Sequence, residues 1–235
     1  MIINSMCLVW FALCWVGYTY YAKKQATKKS CLATELHKYR EYWMQRVMKR
    51  EIRVGDAALI ANLERNVSFF ASTTILILAG LLTLFSVSDD ISSLVEHIPF
   101  ALYSSHLSVQ LKILLLVLVF VYAFFTFTWS MRQYGFCSIV LGGAPMPDEE
   151  GVSEKERADY AFYAARVIDL AGLSYNHGLR AYYFALSVLV WFINPFLFVL
   201  ASSFVVAVLY RREFKSRSLR ALMQKDSKQS ASALI

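Results

Sequence analysis

Two stretches of this chain carry charged and amide side chains at helical spacing ahead of an apolar run. The first is Arg53-x-x-Asp56, followed by Asn62 and Arg65; the second is Arg166-x-x-Asp169, followed by Asn176 and Arg180. A guanidinium offers a fork of N–H donors that fits a carboxylate or phosphate. Arg65 and Arg180, with Asn62 and Asn176, can thus line a cytosolic vestibule for an anionic headgroup or solute. Asp56 and Asp169 can act as acids or bases, but each follows an arginine by three residues, so a structural ion pair on a cytosolic helix is the plainer expectation. The edge arginines also have a plain role, snorkelling their heads to the membrane interface. All eight residues are candidate ligand or partner contacts, and none is a candidate catalyst.

Stronger chemical signatures are missing from the sequence. There is no H-E-x-x-H, no G-x-S-x-G and no P-loop. The adjacent carboxylates Asp89-Asp90 and Glu149-Glu150 fall in expected loops and should be solvated. His97 and His106 lie among acids but lack H-x-x-x-H spacing, and Cys7, Cys14, Cys31 and Cys137 form no C-x-x-C pair. No metal, cofactor or disulfide is expected, and the cysteines should behave as small buried hydrophobes.

The elements that must position the eight candidates are membrane helices. The 235 residues are 57% hydrophobic and only 17% charged, with mean hydropathy +0.45, against about 45–50% and about 25% for a soluble domain. The net charge of +7 is not a nucleic-acid footprint, because its residues cluster beside the apolar blocks, where they set orientation and suit anionic lipid. Residues 1–22 form a first span without a cleavage site. Lys23, Lys24, Lys28 and Lys29 follow it, which puts the N-terminus outside. Residues 34–66 carry Leu36, Tyr39, Trp43 and Val47 at helical spacing with a basic face, and read as one amphipathic helix on the membrane surface or packed on the next helix. Spans follow at 67–88 and 109–131, separated by an acidic outer loop. In the first, Ser68, Ser72, Thr73 and Thr74 should bond back to the carbonyl four residues earlier or to a neighbouring helix. In the second, Tyr122, Thr126 and Ser130 should form a stripe facing other helices.

Residues 142–151 read as a loop, and Ser153 with Glu156 as a capping box opening a second amphipathic helix that reaches about Leu173 and breaks at Asn176-His177-Gly178. The block 179–210 would be about 48 Å long as one helix, against an apolar core of about 30 Å. Asn194-Pro195 near its middle is a good cap and first helical residue. A single crossing would place the basic tail 213–235 outside; a fold-back at Pro195 keeps it cytoplasmic, and the fold-back is the favoured reading.

The two Arg-x-x-Asp stretches align with one inserted residue, and both lead through an asparagine into an aromatic-Ala span entry. This predicts two parallel-oriented repeats, 34–132 and 153–212, each an amphipathic helix followed by a membrane hairpin. The fold class expected is therefore an all-α polytopic membrane bundle with amphipathic cytosolic helices.

Four phrases, FFASTTILILAGL at 69–81, YAFFTFTWSMRQY at 122–134, NHGLRAYYFALSVLVWF at 176–192 and YRREFKSRSLRAL at 210–222, resemble the integral-membrane family known as domain of unknown function 599. The resemblance covers most of the chain. It implies a membrane protein of a family found mainly in bacteria, with plant members, and it carries over no activity and no catalytic residue. A non-catalytic subunit, scaffold or assembly factor is the first expectation, with membrane lipids and a protein partner or second copy as companions. A small-solute or lipid transporter with a basic cytosolic vestibule is the second, and an enzyme the third. The absence of acids from the spans weakens proton-coupled transport. The bacterial inner membrane is the expected location, with the C-terminus cytoplasmic.

Overall fold

The structure is a computed structural model that describes residues 2–87 and 106–223. Residues 88–105, most of the acidic outer loop with His97, and the tail beyond Met223 lie outside the described residues. Among the described residues every regular element is helical. Helix α1 (Ile2–Ala12) passes through a π turn (Leu13–Gly17) into α2 (Tyr18–Ala26). Then come α3 (Leu32–Val47), α4 (Val54–Ser86), α5 (His106–Gly142), α6 (Glu154–Trp191) and α7 (Pro195–Phe214). Among the described residues four stretches are long and apolar enough to cross a membrane: Ile2–Ala26, Val54–Ser86, Leu107–Gly142 and Pro195–Met223.

The chain divides into two compact units, residues 1–38 with 187–235, and residues 39–186. In the first unit α1–α2 and α7 run parallel. Cys7 Sγ meets the Pro195 carbonyl at 3.8 Å, Phe11 stacks on Phe198 at 5.7 Å, and Tyr21 meets Tyr210 at 6.3 Å, so the pairs advance together along both helices. Helix α7 starts where the sequence offers a cap. Asn194 is extended, its side chain accepts from the Phe196 amide at 2.8 Å, and Pro195 is the first helical residue, where no amide donor is needed. The chain reverses there: Ser202 Oγ donates to Ser187 Oγ at 3.2 Å, although fifteen residues of straight helix would separate them by about 22 Å. Both serines are buried, and Trp191 stacks on Phe198 at 4.7 Å inside the turn.

In the second unit α4 and α5 run antiparallel, with Phe70 stacked on Phe127 at 5.4 Å. Helix α6 lies antiparallel to α5. Tyr160 OH donates to the Val140 carbonyl at 2.7 Å, Ser130 Oγ to the Ala171 carbonyl at 2.7 Å, and Phe120 meets Tyr182 at 5.1 Å. Phe70, Phe120, Phe127, Tyr175 and Tyr182 form an aromatic cluster where α4, α5 and α6 meet, with Phe127 fully buried at its centre. Thr74, fully buried, donates to the Phe70 carbonyl at 2.6 Å and shares a 2.8 Å bond with Tyr182 OH. Thr73 bonds back to Phe69 at 2.8 Å. These hydroxyls satisfy their own helix or its neighbour, as apolar surroundings require.

Several expected boundaries are displaced. Residues 34–66 are not one amphipathic helix: α3 ends at Val47, and residues from Val54 onward belong to the same continuous helix as the apolar run. Helix α5 does not stop near Met131 but continues to Gly142. The break expected at Asn176-His177-Gly178 is absent. Helix α6 is continuous through it, and Gly178 is small because Phe127 lies against its backbone; a Cβ there would sit 2.5 Å from the ring. The stripe of Tyr122, Thr126 and Ser130 also splits. Ser130 is buried, whereas Tyr122 is 44% exposed, because each four-residue step overshoots a turn by about 40°.

Candidate functional site

One end of the second unit gathers the charged residues of four segments. On α3, Arg40 and Trp43 are three residues apart and so share a face. Arg40 Nη1 donates to Asp169 Oδ1 on α6 at 2.6 Å. Trp43 Nε1 donates to Asp56 Oδ1 in the first turn of α4 at 2.7 Å. Arg50, in the connection between α3 and α4, donates to the same Asp56 oxygen at 2.6 Å. The Asp56 side chain is 3% exposed and that of Arg50 46%, so a buried carboxylate is closed by a cation that still reaches water. The Arg40–Asp169 pair is drier on its cationic side, at 24% and 13%. Its passage depends on Gly172, where a Cβ would stand 3.0 Å from Arg40 Nη2.

A second group of contacts holds the α5–α6 connection. Arg53, which precedes α4, donates to the Ala144 carbonyl at 2.6 Å and to the Pro145 carbonyl. Arg157, 8% exposed in the first turns of α6, donates to the carbonyls of Met146, of Glu149 at 3.0 Å and of Val152 at 3.3 Å. The loop is rich in Gly and Pro and has carbonyls that no ladder satisfies; two guanidiniums take five of them. Tyr160 lies beside this clamp. Burial pushes its phenol up, and the positive charge of Arg53 opposes that shift. At the start of α6, Glu156 Oε2 accepts from the Ser153 amide at 2.7 Å while the Glu156 amide donates to Ser153 Oγ at 3.2 Å, which is the capping box. The Ser153 amide, and the Ser153 hydroxyl that donates to the same Oε2 at 2.8 Å, hold the Glu156 carboxyl below its ordinary value.

The eight residues singled out from sequence separate by environment. Asp56 and Asp169 are ion-paired, but neither with the arginine three residues before it. Arg53 is turned to the loop carbonyls instead, because it stands before the first turn of α4 with φ −113°. Arg166 is exposed in the middle of α6, one helix that began at Glu154, so the two Arg-x-x-Asp stretches occupy different local positions. Asn62, Arg65 and Asn176 are exposed and Arg180 is half-buried. Phe70 meets Tyr175 and Thr74 meets Tyr182. On that register Arg180 stands level with the turn near Thr73, about 12 Å along the axis from Arg65.

Arg40, Trp43, Arg50 and Arg157 organise this end, and the sequence reading did not select them. Arg40 and Arg50 were legible only as members of a basic face. Nothing in a single sequence assigns a particular arginine to a distant carboxylate. Beside the clamp, α3, the loop and α6 border a cleft of about 520 Å3 whose polar lining includes Gln45, Lys49 and Glu154. Among the described residues no group of three or more His, Cys, Asp and Glu side chains is placed to hold a metal ion.

A family model described as "Protein of unknown function, DUF599" matches residues 6–218. No curated protein and no solved structure matches this chain.

Proposed function

We propose that this chain, which belongs to the DUF599 family, is a non-catalytic subunit, scaffold or assembly factor of a membrane complex. The observation that carries this reading is the closure of the charged end on the chain itself. Asp56 and Asp169 are each bound by an arginine, and Arg53 and Arg157 are bound by backbone carbonyls. Groups so engaged tie helices together. Among the exposed polar groups on the same unit, Asn62, Arg65, Arg166 and Asn176 are the contacts offered to a partner or a second copy. In this reading the charged end is cytoplasmic, the N-terminus of α1 is outside, and the membrane is a bacterial inner membrane.

The test is gentle solubilisation of native membranes, capture of the tagged full chain, and mass spectrometry of the proteins and lipids that accompany it. A stoichiometric protein partner, lost on Arg65→Ala and Arg166→Ala with the chain still folded, is the expected result. A lone assembly that retains a small anionic solute, with solute flux in vesicles that Arg65→Ala abolishes, would overturn it in favour of transport.

A further inference from the structure

In the first unit α1–α2 and α7 border a groove of about 500 Å3. Trp10, Tyr21 and Tyr210 form its walls, and Gly17 and Ala207 leave room between the two helices. A Cβ on Gly17 would meet nothing within 4 Å. Two polar groups of the lining are engaged with each other: Trp10 Nε1 donates to Ser203 Oγ at 3.3 Å. What remains is an apolar channel along two helices that are each long and apolar enough to cross a membrane.

The groove has one charged end. The parallel course of the helices brings the last turn of α2, with Lys23 and Lys24, to the same end as Arg211 and Arg212 on α7. The lining residues Trp10, Cys14, Gly17 and Tyr21 recur at helical spacing, and the next residue on that face is the exposed Lys24. From the other helix Lys215 Nζ stands 5.6 Å from the centre of the Tyr210 ring. The acid at this end, Glu213, accepts the Ala33 amide at 3.1 Å. Tyr21 and Tyr210 mark the depth where amphipathic rings meet headgroups. An apolar groove that opens under aromatic rings onto a cationic rim fits an amphiphile with a long apolar chain and a negative head.

We propose that this groove is a binding site for an anionic phospholipid, with one acyl chain lying between Gly17 and Ala207 and the headgroup phosphate held by Lys24 and Lys215. The site is built from residues of the first unit alone. It requires α1–α2 and α7 to lie in a bilayer, but not that the chain be a subunit of a complex.

The experiment uses the full chain in phosphatidylcholine nanodiscs doped with a phosphatidylglycerol that carries a photoreactive acyl chain, or with the matching phosphatidylcholine. Adducts are mapped by peptide mass spectrometry. Adducts on residues 10–21 and 203–210 should exceed those of the phosphatidylcholine probe about five-fold for each engaged lysine. Gly17→Leu with Ala207→Leu should remove these adducts and leave those on α4 and α5 unchanged, which also reports that the variant is folded and embedded. Lys24→Gln with Lys215→Gln leaves the groove open and should bring the two probes to equal labelling. Equal labelling in the unaltered protein, or adducts spread evenly over the exposed helix faces, would each overturn the proposal. No adducts on α1–α2 or α7 at all would overturn the bilayer placement along with it.

Discussion

At the scale of single residues, Arg50 and Asp56 share a bond but not an environment. Removing the half-exposed guanidinium strands a buried carboxylate, whereas neutralising the carboxylate lets Arg50 turn to water. Arg50→Ala should therefore cost about 3 kcal/mol, and Asp56→Asn, which keeps an acceptor for Trp43, about 1 kcal/mol. Thermal unfolding in detergent checks the order; the reverse order would mean that the carboxylate is not the buried partner. Glu156 gives a pH prediction. Its carboxyl is held below the ordinary value by the Ser153 amide and hydroxyl. A depressed value means that the stabilisation is full above the ordinary glutamate range and is lost as pH falls through the lowered value. Ser153→Ala should move the Glu156 titration upward, read by NMR of the side-chain carboxyl carbon. No movement would show that the Ser153 hydroxyl contributes nothing to the shift.

Among elements, the close approach of Phe127 on α5 to α6 depends on a missing side chain at Gly178. Phe127 is fully buried, and its ring occupies the space that a Cβ on Gly178 would need. Gly178→Ala should cost about 1–3 kcal/mol by overpacking, even though alanine is the better helix former. Phe127→Leu in the same chain should recover part of that loss, as expected for residues in contact. The start of α7 rests on a different kind of interaction, a local one. Asn194→Ala removes the acceptor for the Phe196 amide and should cost about 1 kcal/mol. Asn194→Asp should be near neutral, and denaturation midpoints of the three proteins would separate a cap from a packing effect.

For the whole molecule, the parallel course of α1–α2 and α7 makes a topological prediction. Both helices end in basic residues, Lys23 and Lys24 on one and Arg211 and Arg212 on the other, and both ends lie together. Basic flanks are retained on the cytoplasmic side. Single cysteines at Lys24 and Arg211, in a chain whose four native cysteines are replaced, should both be shielded from an impermeant maleimide in intact cells and both react after permeabilisation. A cysteine at Ile3 should react from outside. Labelling of positions 24 and 211 from opposite sides would contradict the parallel packing itself.

What the sequence determined by itself was whatever neighbouring residues decide. Long uncharged runs must become helices where water is absent, because every backbone donor then needs a partner within its own segment. Asn194-Pro195 and Ser153 with Glu156 start helices through bonds that span two or three residues. Membership of the DUF599 family was legible in four short phrases, three of them mainly apolar and one basic, because each is read from neighbouring residues alone. Tertiary structure decided which charges meet. Local spacing pairs Arg53 with Asp56 and Arg166 with Asp169, yet the carboxylates are bound by Arg50 and by Arg40, the latter 129 residues away. Position 178 shows the same limit. A glycine in a sequence reads as a break; here it is a helix-interior site whose size is set by a phenylalanine on another helix. A side chain's partner depends on which helices pack and in what register, and those contacts lie between residues that are far apart in the chain.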